Sequence, residues 1–243
     1  MIHCYLFFAV IKYGIVENVI YQIFGGDTMD SRLRKGLEHF RNASYKKYEN
    51  LYKELKDQQH PHTLFIACSD SRVSPELLTD SNPGDVFVVR NIANTIPVYS
   101  ESDQDLTTAS AIEFALEVLE VEQIIICGHS NCGGCAAVMN GVENISHLPY
   151  VKEYLQPLET VRQQIENQNL TISDSEKAEL MEKMNAVKQL NHLKEYPSIQ
   201  KRLEQGNLVV EAWHYDIGVG DVQVYDETVK KYQSILGEIK DSE

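Results

Sequence analysis

Short unbroken apolar runs alternate along this chain with longer stretches whose apolar residues return every three or four positions. The two patterns separate strands from helices. Ile124-Ile125-Ile126-Cys127 is a run of the first kind, ended by Gly128; Thr63 to Ala67 and Val86 to Arg90 are two more. Each predicts a short buried strand. Leu106, Ala109, Ile112, Leu116 and Leu119 share one helical face, and Asp105 stands where an N-cap is needed. Pro75 to Leu78 reads as a short helix and Asn82-Pro83-Gly84-Asp85 as a turn. Strands alternating with helices predict parallel βαβ units, so the fold class is α/β with a central, mostly parallel sheet flanked by helices.

The two ends extend this picture. Between Asp30 and Lys56, Leu33, Leu37, Phe40, Tyr48, Leu51 and Leu55 predict an amphipathic helix or helix pair, with Asp30 or Ser31 as N-cap. This is a long N-terminal helical arm with no strand of its own. Beyond Gly141, Leu155, Leu158, Val161 and Ile165 predict a helix over Pro149 to Gln164. Ser173 with Glu176 forms a capping box that opens another, running to about Leu193. Ser198 to Gly206 predicts a third. Leu208 to Tyr215 and Val222 to Tyr225 predict a closing pair of strands, and Glu227 to Lys240 a terminal helix.

The chemistry gathers where the predicted strands end. His129 and Cys132 follow the Ile-rich strand, about one helical turn apart, and Cys68 follows the strand Thr63 to Ala67. If both strands lie parallel in one sheet, all three residues share its carboxyl edge, where open α/β sheets bind ligands. Two thiols and one imidazole are a zinc ligand set with a tetrahedral position left over, the pattern of a catalytic rather than a structural site. Taken alone, Cys68-Ser69-Asp70-Ser71-Arg72 would pass for a surface loop with a local ion pair, and His129 with Cys132 is a weak metal signal. Their occurrence together at two strand ends gives the reading its weight.

At these residues the sequence resembles the β-class carbonic anhydrases. Cys68-Ser69-Asp70-Ser71-Arg72 and His129-Ser130-Asn131-Cys132-Gly133-Gly134 both fit, as does Phe87 to Asn94, and the likeness runs from about Asp30 to Tyr225. The resemblance implies one Zn2+ per chain on Cys68, His129 and Cys132, at the carboxyl ends of the strands. It implies reversible hydration of carbon dioxide to bicarbonate and a proton, by attack of zinc-bound hydroxide. Asp70 would orient the hydroxide and Arg72 would hold Asp70, which becomes a metal ligand only in a closed state. Gln59, Phe87, Ile92 and Phe114 match pocket positions. Val73, Arg90 and Tyr215 match part of a second bicarbonate site, weakened here because Phe65 stands where that site has a tryptophan. The resemblance also implies a homodimer or tetramer joined through the N-terminal helix. A carbon disulfide or carbonyl sulfide hydrolase would carry the same metal set, and a zinc-storage protein would need neither Asp70 nor Arg72.

Charge narrows the partners. With 22 basic and 36 acidic residues the net charge is −14, and no basic cluster stands out, which argues against nucleic acid or an anionic membrane as partner. Five cysteines are too few for a disulfide framework in 243 residues and fit a reducing, cytoplasmic setting. Cys127 and Cys135 read as small buried apolar residues. Residues 1–28 lie outside the resemblance. Lys12, Glu17, Asn18 and Gln22 interrupt their apolar stretch, which falls short of a membrane span, and no cleavage signal follows. They read as an untranslated or disordered extension ahead of a single domain, 29–243. The alternative is a targeting segment for export or membrane association.

Overall fold

The computed structural model describes residues 30–99 and 105–235. They fall in two compact units, divided between Glu54 and Leu55. Residues 1–28, and the predicted helix beyond 235, lie outside the described residues.

The first unit is helical. Helix α1 (Ser31–His39) is capped by Asp30, whose side chain accepts from Arg32 N–H. A π-helical turn, Phe40–Ser44, leads into α2 (Tyr45–Lys47) and α3 (Glu49–Glu54). The predicted amphipathic stretch is therefore a broken helix. Leu33, Leu37 and Phe40 are exposed.

Among the described residues the second unit has six strands: β1 (Thr63–Cys68), β2 (Val86–Asn91), β3 (Gln123–His129), β4 (Val209–Asp216), β5 (Asp221–Asp226) and β6 (Lys231–Ser234), in the order β2-β1-β3-β4-β5-β6. The first four are parallel, and β5 and β6 close the sheet antiparallel. Every residue of β1 is buried, as a central parallel strand with both faces covered requires. The period of two then divides its side chains between two cores. Leu64 and Ile66 pack with Ile124, Ile126, Ile112, Leu116 and Leu190 on one face. Phe65 and Ala67 pack with Ile125, Cys127, Val73 and Trp213 on the other. Each fully buried Leu, Ile or Phe contributes about 1.5–3 kcal/mol.

Helices fill the crossovers: α4 (Pro75–Leu78), α5 (Leu106–Glu117), α6 (Gly133–Met139), α7 (Pro149–Leu155), α8 (Glu159–Asn167), α9 (Asp174–Lys194) and α10 (Pro197–Glu204). Asp105 caps α5 and the Ser173–Glu176 capping box opens α9, as the sequence predicts. The helix predicted over Pro149 to Gln164 is divided by a 3-10 turn, Gln156–Leu158, because Pro157 has no N–H for an α-helical bond. The terminal helix predicted from Glu227 is overturned. Residues 227–230 form a turn and Lys231–Ser234 is a strand paired to β5. Tyr232 decides this: opposite Tyr225 it packs ring to ring at 5.3 Å, and its hydroxyl donates to Lys183 O.

Candidate metal centre

The register of β1 on β3 ends both strands at one edge, with Ala67 opposite Cys127. Cys68 is the last residue of β1 and His129 the last of β3. Cys132 is the N-cap of α6, reached through Asn131, whose φ of 57° is a left-handed conformation that asparagine tolerates. The turn is held at Ser130, whose N–H donates to Tyr215 O while its Oγ accepts from Ile217 N–H. Two glycines follow, and space is short at the second of them. A Cβ on Gly134 would stand 3.0 Å from Ala93 Cβ and 3.1 Å from Ile92 Cγ2.

The ligand atoms of Cys68, His129 and Cys132 all lie within 4.8 Å of one another, and all three residues are buried. Two sulfurs bound tetrahedrally to one zinc, each at about 2.3 Å, lie roughly 3.8 Å apart; here Cys68 Sγ and Cys132 Sγ are separated by 4.0 Å. His129 Nδ1 donates to Ser130 O at 3.0 Å, which leaves Nε2 with its lone pair free. That buried nitrogen has no hydrogen-bond partner. An orphaned imidazole nitrogen facing two thiols fits a soft divalent cation. Burial and neighbouring thiols raise both cysteines to about 12: Cys68 chiefly through Cys132, and Cys132 chiefly through Cys135.

Asp70 and Arg72 stand on the turn after β1. Arg72 Nε and Nη2 donate to the two carboxylate oxygens at 2.9 and 2.8 Å, and Arg72 N–H adds a third bond at 3.0 Å. The side-chain bond from Arg72 is the main cause holding the Asp70 carboxyl well below the usual carboxylate range. Arg90 braces the same turn, donating to Cys68 O at 3.0 Å and Asp70 O at 2.5 Å.

The remaining predicted residues are distributed unevenly. Phe87 and Phe114 meet ring to ring at 6.0 Å, and Ile92 and Phe114 are each partly exposed. Gln59 stands exposed ahead of β1. Val73 and Tyr215 belong to the core face that holds Phe65, whose ring meets Trp213 edge-on at 5.8 Å. Sequence reasoning missed Glu182, Asn185 and His214. No local pattern assigns His214 a partner, and a glutamate within a charged helix has the spacing of a solvated residue. The available signal was spacing, since Glu182, Ala186 and Leu190 fall on one helical stripe.

A parallel sheet whose carboxyl edge gathers two thiols and an imidazole, with an arginine-locked aspartate on the adjoining turn, defines a metal-binding α/β enzyme. The carbonic anhydrase family model matches residues 63–222. The chain is 35% identical to a carbonic anhydrase of Helicobacter pylori, over 84% of this chain and 94% of that protein. It is 38% identical to one of Synechocystis, over 80% and 70%. The solved β-carbonic anhydrase CcaA superposes with a TM-score of 0.80 at 36% identity, covering 84% of this chain and 90% of that one. A structure described as a tetrameric β-carbonic anhydrase of Sordaria macrospora gives 0.68 at 30% identity, covering 80% and 97%. The chain belongs to the β-carbonic anhydrase family and is an enzyme of that family. The family implies hydration of carbon dioxide. Among the described residues, no helix is long and apolar enough to cross a membrane.

Proposed function

We propose that this enzyme interconverts carbon dioxide and bicarbonate with one zinc per chain on Cys68, His129 and Cys132. The observation that carries the reading is the unpartnered, buried Nε2 of His129 beside two thiols. Zinc in this site would supply Lewis-acid activation of a water molecule near neutral pH.

Asp70 accepts a hydrogen bond from the attacking water and turns a lone pair toward the carbon of carbon dioxide. Arg72 keeps that carboxylate ionised and aimed, through a two-point bond that a single ammonium could not match. The hold of Arg72 on Asp70 also favours the open arrangement over one in which Asp70 turns to the metal. Phe87, Ile92 and Phe114 give an apolar wall for a substrate with no charge and no donor, with Gln59 reaching its oxygen. Val73, Arg90 and Tyr215 form a weak bicarbonate site. The chain works as a homo-oligomer joined through the helical segment 30–54, in a reducing cytoplasm, with residues 29–243 as one functional domain.

Stopped-flow hydration of carbon dioxide by metal-quantified protein, run across pH, tests this. Zinc-loaded protein inactive at every pH would remove the reading.

A further inference from the structure

Helix α9 turns a row of polar side chains inward where it passes the metal centre. Glu182, Asn185 and Gln189 are 3%, 0% and 0% exposed. Each is bonded to a segment of the site. Gln189 accepts from Ile96 N–H at 2.8 Å and donates to Asn185 Oδ1 at 2.8 Å; Asn185 donates to Ala93 O at 2.8 Å. Glu182 makes the bonds nearest the metal ligands. Its Oε1 accepts from Cys132 N–H at 3.0 Å, and its Oε2 accepts from His214 Nε2 at 3.1 Å.

The helix is pressed onto the end of β3 at this point. A Cβ on Gly128 would stand 3.3 Å from Glu182 O and 3.5 Å from Ala186 Cβ, and Gly128 lies opposite His214 in the β3–β4 register. Glu182 is thus fixed from two sides, by its own backbone under β3 and by an imidazole on β4. Its carboxylate occupies the one donor of the peptide from which Cys132 projects. Leaving that N–H buried and unpaired would cost about as much as a lost hydrogen bond.

We propose that Glu182, oriented by His214, is a positioning residue for the metal. By holding the Cys132 peptide it fixes the direction of Cys132 Sγ, and so its 4.0 Å separation from Cys68 Sγ. The role rests on the zinc reading above. It differs from a packing role in one respect: it acts on the cation through Cys132, so its loss must appear in how the metal is held.

The test compares wild type with Glu182→Ala, Glu182→Gln and His214→Leu, each loaded with zinc or with cobalt. Transfer of zinc to a colorimetric chelator gives the release rate, and the visible bands of the cobalt form report ligand geometry. Glu182→Ala should release zinc about 10–100 times faster, the usual scale for groups that orient a ligand, and its cobalt bands should shift. Glu182→Gln should restore near-wild-type release, because its amide oxygen still accepts from Cys132 N–H. His214→Leu should fall between. Wild-type release and cobalt bands in Glu182→Ala, with only its melting temperature lowered, would overturn the proposal; so would Glu182→Gln releasing as fast as Glu182→Ala. If Glu182→Ala does not fold, His214→Leu decides, and wild-type release from it has the same force. A wild-type protein that takes up neither metal would sink the zinc reading itself, whereas uptake with no response to these variants sinks only the positioning role.

Discussion

Arg72 Nη2 donates to the carbonyl oxygen of Asn131 at 3.1 Å, across a separation of 59 residues. The same guanidinium holds Asp70, so one side chain ties the turn after β1 to the turn after β3. Arg72→Ala should therefore loosen both turns, keep the metal, and slow turnover by the ~10²–10⁴-fold typical of a positioned acid–base group. Arg72→Lys should rescue only part of this, since an ammonium lacks the planar fork. Near-normal kcat in Arg72→Ala would reduce the pair to a structural contact.

Asp70 also leaves a mark on stability. Its folded pKa lies below the ordinary 3.8, so its contribution is present above that value and is lost as pH falls through the folded one. Asp70→Asn should flatten the acid limb of the stability profile and leave the neutral region nearly unchanged. An unaltered acid limb in denaturation measured from neutral pH downward would count against the pairing.

Metal uptake should be steeply pH-dependent. With Cys68 and Cys132 raised to about 12, both thiols are protonated in the metal-free protein at neutral pH. Binding must displace both protons, so apparent zinc affinity should rise about 10²-fold per pH unit through that region. An indicator dye in weak buffer counts the protons. Fewer than two released per zinc would mean that one of these sulfurs is not a ligand.

Gly134→Ala should destabilise the fold by about 1–3 kcal/mol, the scale of an overpacked core. Its added methyl would meet the Cβ of Ala93, which is already held at a left-handed φ of 58°. Chemical denaturation measures the loss, and an unchanged midpoint would show that the Ile92–Asn94 turn yields freely.

Protein starting at Met29 should sediment as a dimer or larger, because Leu33, Leu37 and Phe40 are exposed on the helical arm. Removing residues 30–54 should shift the species toward monomer, while removing 1–28 should leave activity unchanged. A folded, active monomer at micromolar concentration would contradict this.

Inhibition by bicarbonate should be weak and hyperbolic. Phe65 is completely buried against Trp213 and offers no N–H where the resemblance calls for an indole donor. Losing a donor to an anion costs roughly 1.5–3 kcal/mol. A steep sigmoidal curve in steady-state assays would refute it.

The parts legible in the sequence were those set by short-range pattern. Unbroken apolar runs located β1, β2 and β3, and cap residues located α5 and α9. The strand ends placed Cys68, His129 and Cys132 together because parallel topology puts all carboxyl ends on one edge. Long-range contacts were not legible. The segment after Glu227 has helical spacing, yet the Tyr225–Tyr232 pair and the bond from Tyr232 to Lys183 make it a strand. Glu182 was not legible either, because nothing local reveals that His214 Nε2 and Cys132 N–H both donate to it.

The pairing of β1 with β3 carries one more consequence, for how the chain reaches this structure. Cys68 comes from one strand end and His129 from another, and they meet only when Ala67 lies opposite Cys127. A slip of one residue would turn Cys68 to the opposite face of the sheet. A cation held by both residues would therefore stabilise the in-register pairing and no other, since binding only the native arrangement adds to its stability.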